Sequence, residues 1–184
     1  MPPWRPLLTA GLLLSVSGCS LVGGLRRQAA SPAGLMSAEN RESPALSGDG
    51  RLLASLVERG GRTTVILQER SSGKMLPLRH LRSHQPHQSP SLSWNGRYLA
   101  LLIQQGQRRQ AVVEDRASGQ LHPLFLPGGM EPQSLSLAPD GQRIALAVNR
   151  NGSTQVQVFD LSGLLEADRA PGQKESGGGP EGPP

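Results

Sequence analysis

The stretch SPSLSWNGRYLALLI, Ser89–Ile103, places a short polar turn, Asn95-Gly96, between two runs of apolar side chains. The chain repeats this arrangement as SPALSGDGRLLASLV from Ser43 and as QSLSLAPDGQRIALAV from Gln133. With Asp49-Gly50, Asn95-Gly96 and Asp140-Gly141 set in register, the turns lie 46 and 45 residues apart (49 to 95, 95 to 140). Leu46, Leu92 and Leu137 then coincide, as do Leu53, Leu99 and Ile144, and Ala54, Ala100 and Ala145. Downstream, VILQERSSGKMLPL from Val65 lies over AVVEDRASGQLHPL from Ala111, and VQVFDLSG from Val156 is a third, shorter version.

Each copy reads as β-strands. Asp-Gly and Asn-Gly adopt positive φ at low cost, which suits a tight hairpin. The apolar runs are short and bounded by Gly and Pro, which disfavours helices. Arg97–Gln104 is apolar on both faces for part of its length, as in a buried strand. Gln110–Arg116 follows, and Gln120–Leu126 is the fourth run of the middle copy. Four strands in about 45 residues is the size of a propeller blade. The expected fold is all-β, with three four-stranded blades over 43–88, 89–132 and 133–163 forming a partial or open propeller. The third blade has no evident fourth strand, because the chain becomes Gly/Pro-rich after Gly163.

Ala138-Pro139-Asp140-Gly141 resembles the S-P-D-G that opens TolB-type, WD-like propeller repeats. Ile144-Ala145-Leu146 and Val156–Leu161 are similar to that family's second and third strands. Asp115 and Asp160 precede Ser-Gly turns as in the family, with Glu69 in their place in the first copy. Gly48 and Trp94 stand where the family has Pro. The resemblance spans Ser43–Gly163. It implies a propeller that docks envelope partners such as a peptidoglycan-associated lipoprotein. Closed propellers have about four to eight blades, so three leave two open flanks, and exposed sheet edges associate readily. A homodimer making a six-bladed ring, pairing with another protein, and an open stack of three sheets are all compatible with the sequence.

The N-terminus carries an address. Arg5 precedes an apolar run from Pro6 to Ser17 that is too short to span a bilayer and matches a signal peptide. Val16-Ser17-Gly18-Cys19 resembles the lipobox of bacterial lipoproteins, with Val16 where Leu is frequent. That resemblance implies cleavage before Cys19 and lipidation of its thiol, and two or more acyl chains anchor a protein stably. The expected organisation is a signal peptide at 1–18, a flexible tether at 19–42, propeller repeats at 43–163 and a disordered tail at 164–184. Ser20 is not the Asp that signals inner-membrane retention in enteric bacteria, so the expected place is the outer membrane, facing the periplasm.

Little in the chain points to chemistry. Its net charge of +5 is spread singly over the repeats and aromatics are 3%, which argues against a nucleic-acid surface. No G-x-S-x-G elbow, phosphate loop, C-x-x-C or H-E-x-x-H occurs, so neither catalysis nor a cofactor is expected. His80, His84 and His87 are the metal candidates, but Pro86 and Pro90 interrupt the segment and a polar surface loop is the expectation. Trp94 is the candidate binding residue, either packed between blades or exposed as a contact anchor. The favoured reading is a non-enzymatic, lipid-anchored envelope scaffold that binds protein. A small-ligand or glycan-binding module is the alternative, and it needs an aromatic-lined pocket that this composition disfavours.

Overall fold

In the computed structural model, which describes residues 39–81, 85–170 and 172, the three sequence copies become three antiparallel sheets. The first holds β1 (Arg41–Leu46), β2 (Leu52–Arg59), β3 (Arg62–Glu69) and β4 (Met75–Leu76). The second holds β5 (His87–Leu92), β6 (Tyr98–Gln105), β7 (Arg108–Asp115) and β8 (Gln120–Leu124). The third holds β9 (Glu131–Leu137), β10 (Arg143–Arg150) and β11 (Ser153–Asp160). Each sheet is a meander of sequential neighbours, and the third has three strands, with β11 at its edge.

The repeat extends to backbone irregularities. Pairing of β1 with β2 shifts between Glu42 and Ala45, and that of β5 with β6 shifts between Gln88 and Ser91. Ser43 and Ser89 both take φ of 49° there. The prolines that follow them lack an N–H for the ladder, and a bulge accommodates that lack.

The middle sheet is buried on both faces, which explains the unbroken apolar run Tyr98–Ile103. Leu99, Leu101, Ile103 and Val112 pack on Leu52, Ala54, Leu56, Val65 and Leu67 of the first sheet. Tyr98, Ala100, Leu102, Ala111 and Val113 pack on Leu137, Ile144, Leu146 and Val148 of the third. The outer face of the third sheet is open, with Val156 and Val158 73% and 66% exposed. On the opposite flank, Val57 and Ile66 of the first sheet are buried.

Order continues beyond Gly163, which corrects the expectation of a tail from 164. Leu161 and Leu165 are buried in the core between the second and third sheets. The amides of Leu164 and Leu165 both donate to the Leu161 carbonyl, so the chain makes one tight turn there. The composition of 164–184 is dominated by its Gly/Pro-rich end and hides Leu165, four residues after Leu161 and packed in the same core. Cys19 with its lipobox, most of the tether, His84 and residues 173–184 lie outside the described residues.

Candidate functional site

The three repeated turns stack against one another at one end of the sheets. The amides of Gly48 and Asp49 donate to the carbonyls of Ser93 (3.4 Å) and Trp94 (3.0 Å), and the Trp94 amide donates to Pro139 (2.6 Å). Gly96 has φ of +67°, and a Cβ there would lie 2.6 Å from Leu52 Cδ1 of the preceding sheet. Gly141 stands in the same relation to Tyr98, with φ of +77° and 2.5 Å to ring carbon Cδ2. Glycine is thus required twice over, by backbone conformation and by the approach of one blade to the next. Trp94 is half-buried against Gly48, where any Cβ would collide with its ring. Its Nε1 is buried without a hydrogen-bond partner among the described residues.

A carboxylate completes each of the first two turns, but from different places. In the first, Asp49 Oδ1 accepts from the Ser47 hydroxyl (2.6 Å) and the Arg51 amide (2.9 Å). In the second, Asn95 replaces the aspartate, and Asp168 supplies the charge from beyond the third sheet. Asp168 Oδ2 accepts from the Ser93 hydroxyl, the Asn95 amide (2.9 Å) and the Arg97 amide (3.4 Å). Its Oδ1 accepts from Asn95 Nδ2 (2.9 Å), and its own amide donates to Asp140 (2.7 Å). Residues 161–168 therefore form a strap that ties the second and third turns together. The Tyr98 hydroxyl donates to the Glu166 carbonyl (2.8 Å) along the same path. Asp168 was missed in the sequence; the signal was Asn95 at a position where both other copies carry Asp.

Beside the strap, Arg97 bridges Asp115 (3.0 Å) and Glu166 (2.7 Å). Burial pushes the Asp115 carboxyl up, but hydrogen bonds from Arg97 and from the amides of Ala117 and Ser118 outweigh it and hold the pKa at about 2. The bond to Asp115 foremost, with that to Glu166, raises Arg97 above its ordinary value.

The two described candidate histidines, His80 and His87, hold separate backbone groups. His87 is fully buried in β5, and its Nδ1 accepts from the Val65 amide (3.0 Å), linking the first two sheets. This corrects its expected place in a polar surface loop; the ring supplies a buried acceptor for a β3 amide that lies beyond the two-residue pairing with β4. His80 Nε2 donates to the Gly119 carbonyl (2.7 Å), and its amide, like that of Arg79, is held by the buried Glu114 carboxylate. Among the described residues no three His, Cys, Asp or Glu side chains are grouped to hold a metal.

Two open surfaces adjoin β11. One is the outer face of the third sheet, with Ala145, Ala147, Val156 and Val158. The other is a groove of about 530 Å³ between β11 and β8, lined by Leu124, Phe125, Leu126, Phe159, Leu161 and Leu164 among others. A more polar cavity of about 440 Å³ holds the Arg109–Glu131 ion pair (3.1 Å), and Phe125 is its one aromatic lining residue. Among the described residues no helix is long and apolar enough to cross a membrane.

No family model and no curated protein matches the sequence. The fold does match solved structures. TolB from Acinetobacter baumannii is similar at a TM-score of 0.53 and 18% identity, over 68% of this chain and 31% of that one. The chain has a TolB-like β-propeller fold. The β-propeller domain of the Trilobed protease from Pyrococcus furiosus, described as having an open velcro topology, is similar at 0.54 and 13% identity. That match covers 71% of this chain and 42% of the other. The TolB-like region thus corresponds to less than half the length of either relative, and the likeness concerns the fold.

Proposed function

We propose that this chain is a non-enzymatic, lipid-anchored cell-envelope protein whose TolB-like blades bind another protein. One observation carries the binding role. Ala145, Ala147, Val156 and Val158 occupy the repeat positions of Ala100, Leu102, Ala111 and Val113, which the second sheet buries against the third. A face built to be covered is left open. Exposed apolar patches of this kind mark interaction sites. The resemblance to TolB repeats supports an envelope setting, and the lipobox-like Val16–Cys19 supports anchoring at Cys19, with the outer membrane facing the periplasm as the place. The absence of any nucleophile elbow or metal motif in the sequence supports a role without catalysis.

The test has two arms. Mass spectrometry of the detergent-extracted protein is expected to find Cys19 diacylated or triacylated, and Cys19→Ser is expected to leave the membrane fraction. Cross-linking in intact cells is expected to capture a protein partner that Val156→Asp with Val158→Asp loses while keeping its β-sheet circular dichroism. Recovery of lipid alone, with no protein that distinguishes the two chains, would sink the scaffold reading.

A further inference from the structure

Among the described residues the third sheet stops one strand short, and those that follow β11 do not finish it. In the second sheet the Ser118-Gly119 turn sends the chain back along β7 as β8, with Leu124 packed towards the third sheet. In the third sheet Ser162-Gly163 follows β11 at the same repeat position, but the next residues go elsewhere. Leu165 is buried, and Asp168 is held by Ser93, Asn95 and Arg97, so 164–168 cannot lie along β11. Residues 171–184 carry no Val, Ile, Leu, Phe, Tyr, Trp or Thr, and such a segment makes a poor strand. Among the described residues the edge of β11 stays open for eight residues, STQVQVFD, without a proline or lysine to protect it. Natural edges of that length are ordinarily blunted or covered.

We propose, building on the protein-binding role above, that β11 receives an extended segment of a partner protein as the missing fourth strand. The chemistry of that segment follows from the register. Phe159 and Gln157 pair with Ile144 and Leu146, so they face the second sheet, whereas Val156 and Val158 face outwards. Side chains of the added strand beside Phe159 and Gln157 enter the groove formed with Leu124, Phe125 and Leu126. That groove calls for apolar residues at alternate positions, over about five residues if β8 is the guide. Antiparallel pairing of β11 with a second copy of itself keeps like faces together. In most registers it would push Gln155, Gln157 or Ser153 into this apolar groove, so a different chain fits better.

The test uses a synthetic peptide, GQLHPLFL, which is the sequence of residues 119–126 and thus a strand that completes a sheet of this kind. Added at about 1 mM to the full chain, it is expected to raise amide-exchange protection about tenfold in Ser153–Asp160 and to leave the first sheet unchanged. A peptide N-methylated at alternate amides is expected to protect less than about twofold, because strand addition rests on backbone hydrogen bonds. Phe125→Asp, at a residue 83% exposed and so of little weight in folding, is expected to weaken binding about tenfold. The proposal falls if β11 gains no protection, if the N-methylated peptide works as well, or if β11 is already protected in a dimer that exposes it on dissociation. Should the peptide fail while cross-linking still captures a Val156- and Val158-dependent partner, strand addition alone is overturned. If neither occurs, the scaffold reading goes with it.

Discussion

The turns Ser47–Gly50 and Ser93–Gly96 occupy the same repeat positions and are held by different parts of the chain. The first is complete in itself: Ser47, Asp49 and Arg51 close it within five residues. The second has Asn95 for Asp49, and its carboxylate comes from Asp168, 73 positions further on. A one-atom change from carboxylate to amide has moved the turn's stability into the strap. Because the strap also carries Leu165 into the core and binds Asp140, the second turn reports on whether the third sheet is in place. The first does not.

The largest test of that difference is Asp168→Ala. It leaves the buried Ser93 hydroxyl and the Asn95 and Arg97 amides without an acceptor, which costs about 3 kcal/mol at roughly 1 kcal/mol each. Urea denaturation followed by circular dichroism should show the loss. Adding Asn95→Asp to Asp168→Ala should recover about half of it by restoring the arrangement of the first turn. Asn95→Asp alone should destabilise, since two carboxylates would then face one another. If the double variant recovers nothing, the strap acts through packing and not through its charge, and the comparison breaks.

Gly96→Ala should cost about 2.5 kcal/mol, from about 1 kcal/mol of left-handed strain and the rest from overpacking on Leu52. Gly50 has φ of +71° but only Arg70 Nη1 near, at 3.8 Å, so Gly50→Ala should cost the strain alone, about 1 kcal/mol. Equal losses in the two thermal melts would show that blade stacking at the second turn adds nothing.

The flanking arginines separate the turns by pH. Arg51 is 70% exposed and meets Asp49 at the surface, whereas Arg97 meets the nearly buried Asp115. The Asp115 carboxyl titrates at about 2 in the folded chain against an ordinary 3.8. A depressed carboxyl stabilises above its unfolded value, and that contribution disappears as pH falls through the folded one. Stability should therefore drop by roughly 2 kcal/mol between pH 4 and pH 2, and Asp115→Asn should flatten that part of the profile. A drop of unchanged size in Asp115→Asn would place the acid sensitivity elsewhere.

Much of this was legible in the repeat itself. Three copies in register set the strand count, the turns and the short third blade, because hydrophobic periodicity and Asn-Gly or Asp-Gly chemistry act locally. What stayed hidden depends on contacts across the stack. His87 looks like one of three loop histidines until β5 carries it between two sheets. Leu165 and Asp168 look like tail until a core and the buried Ser93 hydroxyl are in place to receive them. The openness of Val156 and Val158 cannot be seen in a strand whose pattern matches its buried counterparts, since exposure is decided by the neighbour that is missing.

The smallest effect belongs to the self-contained turn. Asp49→Ala frees the Ser47 hydroxyl and the Arg51 amide, but Ser47 still bonds Leu52 through both its hydroxyl and its amide, and Arg51 reaches water. The ion pair with Arg51 is largely solvated and adds little. The loss should be about 1 kcal/mol, a third of that for Asp168→Ala, in the same denaturation measurement. That ratio carries the argument: two turns of one design differ in cost because one carboxylate is local and the other joins the second blade to the third. If Asp49→Ala proves as damaging as Asp168→Ala, the strap has no special share in joining the blades.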